Sequence, residues 1–411
     1  MTPSRLTVIL GIFLLVGSAF TTIPTPEWGF FGHRRINRLA VFTLDAEMMP
    51  FFRAHLEWVT EHAVDPDKRR YATEHEAVRH YIDLDHWSED KTYDHVPERW
   101  TDALIWKAGL TIGSENWKVD TILQAPGNQK FSPESVVVFN NDRSRVEIPL
   151  GTCRGWWIRN VIPQYYEDQI VVPADSARAL GLPAISAQEV TISEGFTDYG
   201  ILPYHLESMH RRLTEAFREE NPTKILRLAA EMGHYIGDAH VPLHTTENYN
   251  GQLTDQVGIH AFWESRLPEL FADEEYDFFV GKATYIENPR EYYWDIVMDS
   301  HVLVDSVLQS EWRLRQTFPE DQQMCFDERL GRTIRTQCPE FARAWATVMQ
   351  GMVEERFRAS ILSVGSVWYS CWIDAGQPDL SRLVPNLANA ETVDSLNAAV
   401  QRGKIKGRVH E

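Results

Sequence analysis

The sequence predicts a mainly α fold interrupted by one partly β stretch, and three observations carry that reading. Leu206, Met209, Leu213 and Phe217 repeat at helical spacing, and Asn221-Pro222 ends that helix and opens the next. Thr73-Glu74-His75-Glu76 has the form of a capping box opening a helix that runs into His80. β-Branched residues gather in one region, in Val136-Val137-Val138-Phe139, Ile170-Val171-Val172-Pro173 and Val190-Thr191-Ile192.

In chain order, Arg5 precedes an apolar run from Leu6 to Phe20. A run of about 15 residues is short for a membrane span and suits a secretory signal. Residues 1–27 are therefore expected to be a signal peptide with a possible short pro-segment. The protein is expected to be exported (periplasmic or secreted), with no transmembrane anchor after processing. Residues 28–102 read as helical, 103–198 as an inserted α/β or mainly β subdomain, and 199–375 as helical again. In the last part, one helix runs from Pro222 to about His240, where Pro242 stops it. Two more long helices are expected near Trp294–Trp312 and Pro339–Trp368. The tail, 376–411, is polar and expected to be weakly ordered.

With 411 residues, 43% of them hydrophobic, the chain can bury a large core. Its formal charge of −19 argues against broad attraction to a polyanion, and so against a stable nucleic-acid partner. The four cysteines, Cys153, Cys325, Cys338 and Cys371, lack metal-ligand spacing. In an exported protein they can form one or two disulfides, and Cys325 and Cys338 are the closest pair.

The chemistry lies in histidines and acids. His234 and Asp238 are four residues apart, as are His260 and Glu264, which stacks each pair on one helix face. Ala230, Gly233 and Gly237 fall near the first pair and leave room for ions and for close helix approach. Pro242 turns the chain so that His244 can return to the same site. Taken alone, a His/Glu pair at this spacing is more often a surface interaction. His260 gains weight because it follows His244 by sixteen residues, behind a polar loop. Asp65 and His80 have meaning only as members of the set. Imidazoles mixed with carboxylates, without cysteine, suit zinc in an open, water-bearing site. His240 reads as a buried structural residue, and His75, His86, His205 and His210 as surface or packing residues. Trp87, Trp156-Trp157 and Tyr292-Tyr293 could line a lipid or base pocket, although packing is their commoner role.

Trp28-Gly-Phe-Phe-Gly-His33, Asp65, His80-Tyr-Ile-Asp, Gly-His234-x-x-x-Asp238-x-x-x-Pro-x-His244 and His260-x-x-x-Glu264 together resemble the zinc-dependent phospholipase C / S1–P1 nuclease superfamily. The resemblance implies a multi-helix phospholipase C/P1 nuclease-like core holding three zinc ions. It places Asp65, His80, His234 and Asp238 on one ion and His244, His260 and Glu264 on a second. Trp28, His33 and a bridging Asp238 would hold the third. The implied activity is an exported zinc phosphodiesterase, phospholipase C-like, acting through a metal-bound hydroxide. Asp238 would bridge the ions that generate the hydroxide, and Asp65 would orient or deprotonate the water. The substrate would be a phospholipid head group or a similar small phosphodiester.

An S1/P1-type single-strand nuclease is the alternative within the same chemistry, and a non-catalytic, zinc-stabilised binding module is the alternative outside it. Two departures stand out. Thr25-Pro26-Glu27 is a poor signal-peptidase site, so a free amino group on Trp28 needs a second cut. Residues 103–198 have no counterpart in the shared core. Glu264 as the last ligand looks like the phospholipase branch, whereas the five-residue step from Trp28 to His33 looks like the nuclease branch.

Overall fold

A computed structural model describes residues 30–387, apart from 71–72, 88–92, 94–95, 127–129, 168, 183–187 and 330–331. The expected signal segment 1–27, Trp28 and the tail beyond 387 lie outside the described residues. The fold is mainly helical, with one six-stranded antiparallel sheet and one separate hairpin.

The centre of the molecule is the helix Pro222–Ala239, buried without a break from Ala229 to Ala239. Its start follows from sequence, because Asn221 accepts a hydrogen bond from the Lys224 amide at 3.1 Å and Pro222 fills the first turn. The helix Leu202–Arg218 packs beside it, with Leu206, Met209, Leu213 and Phe217 all fully buried. Each such side chain stabilises the fold by about 1.5–3 kcal/mol relative to exposure. The helices Phe30–Ala40 and Met352–Asp374 close the other sides.

Small residues set how closely these helices approach. A Cβ on Gly233 would collide with the Asn37 side chain, and one on Gly237 would come within 2.9 Å of His33 Nδ1. The glycines thus make room for the helix Phe30–Ala40 itself, which brings His33 against the central helix.

Three helix boundaries differ from expectation. The Thr73 cap forms, its Oγ1 accepting from the Glu76 amide at 3.0 Å, while the Glu76 carboxylate accepts from Arg79 Nη1 at 2.8 Å. Its helix is a single turn, Glu74–Ala77, so His80 sits in the turn that follows. The expected long helix near 294–312 is two, Pro289–His301 and Val304–Thr317. The one near 339–368 is also two, Pro339–Val348 and Met352–Asp374, parted where Gln350 and Gly351 adopt positive φ. A left-handed pair cannot continue an α-helix.

All six strands of the sheet fall between 109 and 193: β1 (Gly109–Ile112), β2 (Glu115–Leu123), β3 (Val136–Asn140), β4 (Arg145–Pro149), β5 (Ile170–Pro173) and β6 (Glu189–Ser193). Their order is β4-β3-β2-β1-β6-β5, antiparallel throughout. β3, β5 and β6 are the β-branched runs. β1, β2 and β4 alternate buried with exposed residues and carry no such run. The sheet's apolar residues, with Trp156 and Trp157, join the same hydrophobic cluster as the helices, so this segment shares the main core. Trp87 and Tyr293 are buried there as well.

A second, smaller core contains Val241, Leu243, Phe262, Trp263, Phe341 and Trp345. Beside it lies the hairpin β7 (Met324–Arg329) and β8 (Arg332–Gln337), closed by a disulfide between Cys325 and Cys338. Cys153 and Cys371 are free and buried. Past Gly376 the chain stays packed for a stretch, with Leu380 and Leu383 buried in the main core. Among the described residues no helix is long and apolar enough to cross a membrane.

Candidate metal centre

Five parts of the chain supply the expected ligands. The helix Phe30–Ala40 contributes His33, and the turn after Ala77 contributes His80. The central helix carries His234 and Asp238, while Pro242 begins a short 3-10 turn that holds His244. His260 lies just before a π-turn, Phe262–Arg266, which carries Glu264. Side chains distant in sequence meet here, and His33, His80, His234, Asp238 and His244 are all buried.

The separations fit ligands around cations. Two donors about 2.0–2.1 Å from a tetrahedral zinc stand about 3.4 Å apart. His33 Nε2 lies 3.3 Å from Asp238 Oδ1 and 3.5 Å from Glu264 Oε1. His234 Nε2 is 3.3 Å from Asp238 Oδ2, and His244 Nε2 is 3.4 Å from Glu264 Oε2. Closer pairs are His80 Nδ1 to Asp238 Oδ2, at 2.9 Å, and His260 Nε2 to Glu264 Oε2, at 2.7 Å. Three groups emerge that could each hold an ion: His33/His234/Asp238, Asp67/His80/His234 and His244/His260/Glu264.

Backbone carbonyls orient two of the imidazoles. His234 Nδ1 donates to the Ala63 carbonyl at 2.9 Å, and His244 Nδ1 to the His80 carbonyl at 2.6 Å. Each bond keeps the proton on Nδ1 and turns Nε2 inward, which is how metal-bound histidines are held. His244 Nε2 is buried yet has no hydrogen-bond partner, an arrangement that a cation would satisfy. His234 Nε2 has one lone pair and so can serve only one of its two groups.

The acid at the edge of the cluster is Asp67, not the expected Asp65. Asp67 Oδ1 is 3.5 Å from His234 Nε2 and 3.8 Å from His80 Nδ1. Asp65 instead accepts from Lys68 Nζ at 2.9 Å and joins none of the three groups. Both acids lie on the helix Asp65–Arg70, where a two-residue step turns a side chain by about 200°. Only one of them can face inward. Trp28 lies outside the described residues; the other seven expected ligands come together.

The cluster's own charges prepare it for a cation. Burial would raise the Asp238 carboxyl, but His244 and hydrogen bonds from His33 and His80 hold it well below the usual range. Glu264 is likewise held low, against burial, by His244, His260 and His33. Burial, helped by His33, keeps His234 well below the usual histidine value. The centre therefore offers two anionic carboxylates and a neutral imidazole, the forms that metals require. At its edge, burial together with Asp85 and Glu247 pushes the Asp83 carboxyl up to about 7.

His240 is structural, as expected. Its Nδ1 donates to the Ile236 carbonyl at 2.8 Å and its Nε2 meets Ser363 Oγ at 3.2 Å, while burial and Arg356 push it down to about 3. Sequence reading missed Asp67 and the two orienting carbonyls. The acidic pair in Asp65-Pro66-Asp67 was the one available signal for the first; backbone acceptors leave none. No protein-family model and no curated protein matches the chain.

Proposed function

We propose that this chain is a zinc-dependent phosphodiester hydrolase of the phospholipase C kind, built on a phospholipase C/P1 nuclease-like core. One observation carries the reading: three histidine–acid groups, drawn from six parts of the chain, bring imidazoles and carboxylates to ligand-to-ligand spacing. Asp67, His80 and His234 would hold one ion, and His244, His260 and Glu264 a second. His33 and Asp238 would hold a third, with Trp28 as the resemblance implies. Bound zinc supplies Lewis acidity that makes water acidic near neutral pH and neutralises phosphate charge.

The residues do the rest. Asp238 turns Oδ1 toward His33 and Oδ2 toward His80 and His234, so it ties two groups together. Glu264 does the same between His33 and the His244/His260 pair. Burial of the His80/His234/Asp238 end leaves the His260/Glu264 end, which is only partly covered, as the side toward substrate. There Asp83, Asp85 and Glu247 make the edge acidic, which repels a nucleic-acid chain and suits a phosphate ester bearing a cationic head group.

The test is a hydrolysis panel of phosphatidylcholine, single-stranded DNA and bis-nitrophenyl phosphate, run on zinc-loaded and zinc-depleted protein. Zinc-dependent cleavage of phosphatidylcholine and the nitrophenyl ester is expected, with DNA spared. Cleavage of DNA alone would transfer the reading to the nuclease kind. A zinc-loaded protein that cleaves none of the three would be a binding module.

A further inference from the structure

The partly exposed end of the centre is fastened to a part of the molecule that the chemistry leaves unused. Arg266 is two residues beyond Glu264, on the same π-turn, and is 4% exposed. Its Nη1 donates to Asp327 Oδ2 at 2.9 Å and its Nε to the Gln337 carbonyl at 3.3 Å. Both acceptors belong to the β7–β8 hairpin, one on each strand. Among the described residues that hairpin pairs with no other strand, and it exposes Phe326 at 78%. A lone two-stranded hairpin is marginal in water, so something else must hold its shape. The Cys325–Cys338 disulfide does so, joining β7 to the residue just after β8. Cys338 also caps the helix Pro339–Val348, donates its amide to the Gln323 carbonyl at 3.0 Å and is buried in the second core.

We infer that the disulfide-closed hairpin is a clamp on the His260/Glu264 metal subsite, with Arg266 as its positioning residue. The inference rests on the metal reading above. A buried guanidinium cannot lose its carboxylate without leaving an uncompensated charge, so when the hairpin loosens Arg266 must move. The π-turn moves with it, and Glu264, which faces His33, His244 and His260, shifts away from all three. π-Turns are rare and concentrate at functional sites, where a small shift re-aims a side chain. The subsite should therefore bind zinc tightly only in the oxidised protein, while the Asp67/His80/His234 group, carried by the main core, is indifferent to the thiol state.

The experiment measures zinc release to a chromophoric chelator from zinc-loaded wild-type protein, C325S/C338S, Arg266→Lys and His260→Ala, with circular dichroism on each. His260→Ala identifies the class of zinc that belongs to this subsite. That same class should leave C325S/C338S about 10–100-fold more readily, the usual effect of disturbing a ligand's support. Arg266→Lys, which keeps the charge and loses the fork, should fall between. Should C325S/C338S fail to fold, phosphine reduction of the folded, loaded wild type reads the same quantity. An unchanged release profile in disulfide-free, folded protein overturns the clamp alone, as does uniform loosening of every zinc. Wild-type protein that retains no zinc overturns the metal centre and the clamp together.

Discussion

The two ends of the metal-ligand cluster are built on different foundations. His234 and Asp238 lie on a helix enclosed by the main core, and the Ala63 carbonyl fixes the imidazole ring. His260 and Glu264 border a π-turn on the second core, with side-chain exposures of 21% and 15%. Their support is a disulfide-closed hairpin reached through one arginine. Burial and exposure are thus divided between the two ends: His234 and Asp238 are closed off by the core, while His260 and Glu264 are the side that solvent reaches.

The most severe way to break this division is Asp238→Asn. The change removes the charge that holds His33, His80 and His234 around one point. Phosphodiesterase activity should fall by more than about 100-fold, beyond what outer supports cost, and at least one zinc per chain should be lost. Steady-state rates and elemental analysis measure both. A fully active variant with unchanged zinc would remove Asp238 from the centre.

Asp67→Asn and Asp65→Asn sharpen the comparison at the enclosed end. The first should weaken zinc binding by about 10-fold or more, since Asp67 faces His234 and His80. The second should change zinc binding little and stability by no more than about 1 kcal/mol, because Asp65 makes an exposed pair with Lys68. Chelator competition separates them, and the reverse order would restore Asp65 as the ligand. An effect on packing rather than on ligation is expected from Gly237→Ala. Its methyl group would press on the His33 ring at 2.9 Å, and overpacking of this kind costs about 1–3 kcal/mol, read from denaturant unfolding.

These two acids also mark how far the sequence could be read. The apolar stripe from Leu206 to Phe217, the Asn221-Pro222 cap and the three β-branched strands declare themselves, because burial and capping are local in sequence. The paired spacing of His234/Asp238 and His260/Glu264 is legible for the same reason. Other features depend on tertiary context. β2 and the β7–β8 hairpin hide among charged residues because a half-exposed strand needs apolar residues on one face alone. The break at Gly351 rests on two positive φ angles in an otherwise helical pattern. Choosing Asp67 over Asp65 requires the phase of a six-residue helix relative to a partner more than 160 positions away.

The mildest expected effect separates the enclosed imidazole from those at the junction. Burial lowers His33, but Asp238 and Glu264 more than offset it and hold the ring well above the ordinary value; His244 is raised by Asp238 and Glu264 in the same way. In metal-free protein these two rings are protonated between the acids, and the stability they contribute is complete below their unfolded value of about 6.5. It is lost as pH rises through their folded values. His234, held neutral, contributes nothing of this kind above that range. Zinc replaces the protons and reverses the trend, because deprotonated imidazoles bind it better. Melting of chelator-treated protein should therefore fall progressively as pH rises above about 6.5, while zinc-loaded protein holds or gains, so the gap between them widens with pH. A metal-free melting temperature that stays flat over that rise would show that His33 and His244 carry no proton between the carboxylates, and the junction would then be as neutral as the enclosed end.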